Sequence, residues 1–134
     1  MDTPINSDLL LYPRCPIRNV LSRIADKWSM LIILTLSEAD RAMRFSDLQR
    51  AIPDVSQKVL TSTLRVLQAD GYVHRQAYAE VPPRVEYTLT ERSHTLMPHL
   101  QALITWAKDN MDDIMHDRQQ SQSQPQGVGE EKAV

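Results

Sequence analysis

Glycine is nearly absent from this chain, with three in 134 residues, at Gly71, Gly127 and Gly129. Glycines so placed can build neither a Walker loop nor a dinucleotide fingerprint, which excludes the commonest nucleotide-dependent enzymes. The single cysteine, Cys15, excludes an internal disulfide framework, a thiolate-rich zinc site and an iron–sulfur cluster. A reducing, intracellular setting is the expectation that follows. Aromatics make up only 5% of the residues. The longest apolar run, Met30 to Leu34, falls far short of the roughly 20 residues that span a bilayer. The opening Met1-Asp2-Thr3-Pro4-Ile5-Asn6 has no basic segment followed by an apolar core, so a cytoplasmic location and no membrane partner are expected. His74, His94, His99 and His116 lack metal-ligand spacing, His94 and His99 lying five apart and off a common helical face. Neither a metal nor any other cofactor is assigned. No paired acid and base stand in a recognisable motif and no nucleophile elbow is present, so an enzyme is not expected.

What the chain has is a local excess of positive charge. Its formal net charge is −2. Between residues 41 and 92, however, eight basic side chains face six acidic ones, leaving −4 for the remainder. Such asymmetry turns one side toward a polyanion although the whole is acidic. A hydrophobic content of 42% suits one domain. Residues 1–8 are expected to be flexible, 9–116 to form the folded unit, and 117–134 to be a disordered Gln/Ser-rich tail.

Periodicity then gives an order of elements. Cys15-Pro16 starts a helix with proline at its first position, and Ile17, Val20, Leu21 and Ile24 follow at helical spacing. Trp28 to Glu38 is apolar on nearly every side, as a buried helix is. A short helix from Ser46 stops at Pro53, and Ser56 caps a longer one that ends near Asp70-Gly71. The period switches for Tyr72 to Ala77 and Arg84 to Leu89, which read as a two-stranded hairpin. Thr90 caps a last helix whose apolar stripe includes Leu96, Leu100, Leu103, Ile104, Ala107 and Met111. That stripe is wider than one small domain needs, and the same helix from a second copy would cover it.

The fold class this order implies is mainly α with a small β-hairpin, a winged helix-turn-helix. The helix after Ser56 turns Leu60, Leu64 and Leu67 inward and projects Ser56, Gln57, Lys58, Thr61, Ser62 and Arg65 from its other side. A helix of this kind fits the major groove, where Gln and Arg read base edges and Ser, Thr and Lys hold phosphates. An ordinary solvated face is the alternative, and the charge asymmetry weighs against it.

The sequence resembles the HxlR-type winged helix-turn-helix regulators. The likeness runs from Cys15 to about Trp106. It is carried, in order, by Cys15-Pro16, Ile24-Ala25-Asp26-Lys27-Trp28, Arg44-Phe45-Ser46-Asp47-Leu48, Ser56-Gln57-Lys58-Val59-Leu60-Thr61, Leu64-Arg65-Val66-Leu67 with Asp70-Gly71, and Val81-Pro82-Pro83-Arg84-Val85-Glu86-Tyr87-Thr88-Leu89-Thr90. Ala25-Asp26 and Ser93 depart from that family's glycines. The resemblance implies a homodimeric regulator, a repressor, on a pseudo-palindromic double-stranded DNA operator. Its first and last helices would form the dimer interface, to which Leu9 and Leu10 would add, and two recognition helices would enter successive major grooves about 34 Å apart. Arg44 and Ser46 join the DNA-binding set, as do Arg75 and Arg84 on the wing. For Arg84 a cross-strand pair with Glu80 or Glu86 is the alternative.

Cys15 is the residue with switch chemistry. At a helix start between Arg14 and Arg18 its thiolate is favoured, and some members of the family it resembles sense quinones, aldehydes or hypochlorite through a cysteine at this position. A small electrophile or oxidant is thus the candidate effector. The alternative is a buried structural cysteine near Trp28, with no redox role. Trp28 and Trp106 are read as core or as the lining of an effector cavity. A winged-helix module that binds protein and not DNA is the second functional reading.

Overall fold

The computed structural model describes residues 15–123. Five helices and three strands alternate along it: α1 (Pro16–Ile24), α2 (Lys27–Ala39), β1 (Met43–Arg44), α3 (Phe45–Ala51), α4 (Gln57–Ala69), β2 (Val73–Tyr78), β3 (Arg84–Leu89) and α5 (Glu91–Ser123). The chain divides into two units, residues 1–95 and 96–134, where the sequence suggested one. Residues 1–14 and 124–134, with Leu9, Leu10 and the expected flexible start, lie outside the described residues.

Local chemistry sets most of the boundaries in the first unit. Proline stands at the first position of α1 after Cys15, where its missing N–H costs nothing. The Asp26 carboxylate accepts from the backbone N–H groups of Trp28 and Ser29 and opens α2, so the residue that departs from a family glycine is a helix cap. Burial pulls that carboxyl up, but the hydrogen bonds from Ser29 and the backbone outweigh it and hold Asp26 below its ordinary value. At the far end of α4, Gly71 takes a left-handed φ of +81°. Its N–H reaches Gln68 O at 3.1 Å and that of Tyr72 reaches Leu67 O at 2.8 Å, the paired bonds of a Schellman closure.

The core of this unit is Ile32, Ile33 and Leu36 of α2, Leu48 of α3, Leu60, Leu64 and Leu67 of α4, and Val73 and Tyr87 of the sheet. The sheet is antiparallel in the order β1-β3-β2. Its third strand was not expected. β1 has two residues, Met43 opposite Tyr87 and Arg44 opposite Glu86, too few to show a period of two. Ser93, the other departure from a family glycine, is fully buried and donates to Tyr72 O at 2.6 Å.

In the second unit, α5 continues through Ser123. Residues 117–123 are therefore helical where a disordered tail was expected. Asp, Arg, Gln and Ser bury nothing there, yet neither Gly nor Pro stands between Pro98, itself inside the helix, and Pro125, and extending an existing helix costs far less than nucleating one. Within this unit Leu100 is buried, Leu96 and Ile104 are half-buried, and Leu103, Ala107 and Met111 are exposed. Trp106 is exposed at 57%, so it is not core. Among the described residues no helix is long and apolar enough to cross a membrane.

Candidate nucleic-acid interface

Two helices and the tight turn between them build the site. Arg44 precedes α3, and its backbone N–H donates to Asp47 Oδ2 at 2.9 Å, the half of a capping box that fixes the helix start. Asp47 also holds Arg50, which occupies that cation. Leu48, Ile52 and Val55 are buried and anchor the turn, and Pro53 ends α3. The Ser56 hydroxyl then accepts from the Val59 N–H at 3.1 Å and opens α4.

Leucine spacing orients α4 about its own axis. Leu60, Leu64 and Leu67 are at most 2% exposed, so residues between them must face outward. Ser56, Gln57, Lys58, Ser62 and Arg65 are exposed and Thr61 is half-buried. Thr61 Oγ1 donates to Gln57 O at 2.8 Å and Ser62 Oγ to Val59 O at 3.1 Å, which spends their protons inside the helix and leaves oxygen lone pairs outward. Neither Lys58 nor Arg65 has an ion-pair partner among the described residues.

The outward groups meet in two adjoining concavities. Gln57, Lys58, Thr61, Ser62 and Arg65 line an open one of about 530 Å³. Phe45, Thr61, Leu64, Arg65, Gln68, Arg75 and Tyr87 line a cleft of about 390 Å³ between α4 and the sheet. Thr61 and Arg65 belong to both, so the helix surface runs on to Arg75 of β2. No carboxylate lines either. The structure thus brings together Gln57, Lys58, Thr61, Ser62, Arg65 and Arg75. Arg44 and Ser46 are exposed at the start of α3 and line neither concavity.

Arg84 is placed differently. Its guanidinium lies 4.0 Å from the ring centroid of Tyr78, its cross-strand partner, 3.0 Å from Glu80 Oε2 and 3.7 Å from Glu86 Oε2, so it meets both glutamates of its alternative reading, though not across the strands: Glu80 stands in the turn and Glu86 on β3 itself. Phe45, Gln68 and Tyr87 were missed as cleft residues. Phe45 stands inside a motif already singled out, and Tyr87 alternates inward on β3, but which strand faces α4 is a tertiary fact.

Cys15 is 5% exposed and caps α1 with its backbone only, since its side chain makes no cap hydrogen bond. Trp28 is half-buried, with Lys27 Nζ 4.3 Å above its ring. On α1, Ile17, Val20 and Leu21 are exposed, an apolar face left to solvent. Among the described residues no cluster of three His, Cys, Asp or Glu could hold a metal ion.

Residues 23–115 match a family described as HxlR-like helix-turn-helix. The chain is 44% identical over 94 residues to an HTH-type transcriptional regulator of Methanothermobacter thermautotrophicus, covering 70% of each. It is similar to the solved structure of the transcriptional regulator ytfH from Salmonella typhimurium, with a TM-score of 0.71 and 36% identity over 82% of this chain and 96% of that one. It is similar also to the redox regulator HypR in its oxidized form, with a TM-score of 0.65 and 40% identity over 72% of this chain and 97% of that one.

Proposed function

The chain belongs to the HxlR-like helix-turn-helix family, and from that membership we propose a homodimer that represses transcription from a pseudo-palindromic operator in double-stranded DNA. As a family member it is a winged helix-turn-helix transcriptional regulator and not an enzyme. The observation that carries the finer reading is the outward side of α4. There, amide, hydroxyl and cationic groups stand over a buried leucine edge, and the two cations have no carboxylate partner among the described residues. Gln57 and Arg65 suit base edges, while Lys58, Ser62 and Thr61 suit phosphates. Ser56 fixes the entry of the helix, and Arg75 extends the basic surface toward the flanking backbone. Arg44 and Ser46 would meet phosphates beside the site. The exposed apolar residues of α1 and of the second unit, Leu103 and Met111 among them, support dimerisation, because a second copy removes them from water.

Cys15 is the proposed sensor. Likeness to a redox regulator supports it, and the lone cysteine limits the chemistry. Two protomers can share an intersubunit disulfide, with two electrons and two protons passing to the oxidant, or one thiolate can add to an electrophile. Burial of the thiol favours a second reading, in which operator affinity answers a small molecule and Cys15 only packs.

The experiment is operator binding by the full chain against salt and oxidant. The observed affinity should fall steeply with salt, because phosphate contacts release counterions. Oxidant should release the wild type, and a Cys15→Ser protein should stay bound. Equal release of both would remove Cys15 from sensing. Salt-insensitive binding to a protein partner, with none to DNA, would favour the interaction module.

A further inference from the structure

The C-terminal end of α4 carries a second layer of bonds beyond its own closure. The Schellman pair already satisfies the last turn. In addition Arg23, in the last turn of α1, donates Nε to Asp70 Oδ2 at 2.7 Å and Nη2 to Asp70 Oδ1 at 2.9 Å. Arg92 Nη1 donates to Asp70 O at 2.6 Å and Thr90 Oγ1 to Gly71 O at 2.5 Å. A Cβ at Gly71 would meet the far end of the exposed Arg92 side chain, which can swing away, so it is the positive φ that calls for glycine here. A two-pronged guanidinium–carboxylate pair fixes direction as well as distance. Two cations also lie at the negative end of the helix dipole.

The location turns these bonds into a lever. Asp70 sits at one end of α4, and Gln57 and Lys58 sit at the other, about 20 Å away by helical rise. A tilt of roughly 10° about Asp70 moves that far end by about 3.4 Å, one base-pair step. We infer that Arg23 is a positioning residue: its fork on Asp70 fixes the tilt of α4 against α1, and thereby the half-site spacing the dimer accepts. This rests on the reading of α4 as the DNA-binding helix. Neither Arg23 nor Asp70 lines the outward concavities.

The test has two arms on the full chain. In a Cys15→Ser background, spin labels at Asn19→Cys on α1 and Ser62→Cys on α4 report their separation without DNA. With labelled chains diluted in excess unlabelled protein, so that pairs within one protomer dominate, the parent should give one narrow distance distribution, Arg23→Gln and Asp70→Asn should each widen it, and the swapped pair Arg23→Asp with Asp70→Arg should narrow it again. In the second arm, unlabelled protein meets duplexes whose half-sites have the selected spacing or one base pair more. The wild type should prefer the first by about tenfold or more and Arg23→Gln by under about threefold, with single half-site affinity unchanged. An Arg23→Gln protein that keeps either the narrow distribution or the tenfold preference overturns the inference, and so does equal loss of affinity for both duplexes. If the wild type bound no duplex, the distance arm alone would decide the role of Arg23, and the proposed function would fall separately.

Discussion

The outward side of α4 and the wing are built from the same kinds of residue and leave them in opposite states. On α4, Lys58 and Arg65 stand with no carboxylate partner among the described residues. On the wing, Arg84 is stacked on Tyr78 and shared between Glu80 and Glu86, and its Nε is buried without a hydrogen-bond partner. Each arginine counts the same in a sum of formal charge. To a polyanion they differ, because a paired cation must first give up its carboxylates. The excess of basic residues between positions 41 and 92 is therefore less informative than its distribution, which, among the described residues, leaves unpaired charge on α4, Arg75 and Arg44 and ties up Arg84.

The largest effect should come from the hidden side of the same helix. Leu64→Ala removes a side chain that is 2% exposed, and the unfolding free energy should fall by about 2 to 5 kcal/mol. Denaturant titration measures it, and a loss under about 1 kcal/mol would mean α4 is not held by its leucines. Arg65→Ala comes next. It should cost about 1 to 3 kcal/mol of operator affinity and relax preference at one base position. The wing supplies the sharpest contrast. Arg75→Ala should lower the salt slope of binding by about one, whereas Arg84→Gln should leave that slope unchanged. An equal drop for both would break the distinction between paired and unpaired arginines.

The smallest effect is acid-dependent. The hydrogen bond from Arg23, and its charge, hold the Asp70 carboxyl below its ordinary value. A carboxylate depressed in the folded state stabilises above its unfolded value of about 3.9 and loses that contribution as pH falls through the folded value. Arg23→Gln should be less stable than the wild type near neutrality, and the gap should close in acid. Urea midpoints at about pH 6 and pH 3 measure it. A gap that persists in acid would assign the loss to something other than this pair.

Much of this could be read from the sequence, because the elements are fixed by local chemistry. Pro16, Ser56 and Gly71 each mark a boundary through a property of one residue, and the leucine spacing of α4 gives its inward edge. What could not be read depends on distant segments. β1 is too short to carry a pattern and exists only because β3 offers an edge. Arg84 was an open choice between DNA and two glutamates, and its place on Tyr78 and between Glu80 and Glu86 depends on how the turn folds back and on the register that sets Tyr78 opposite it. Composition misled at residues 117–123, since the absence of apolar side chains excludes a core and does not exclude the continuation of a helix. Phe45 and Tyr87 were legible as apolar residues, and their place at the cleft follows from how the sheet meets α4.

The central claim is that the outward side of α4 meets the duplex, and backbone NMR of the full chain titrated with a selected operator tests it most directly. The largest amide shifts should fall on Gln57, Lys58, Thr61, Ser62 and Arg65, with a smaller set at Arg75. Shifts centred elsewhere, with those five amides unmoved at saturation, would contradict it.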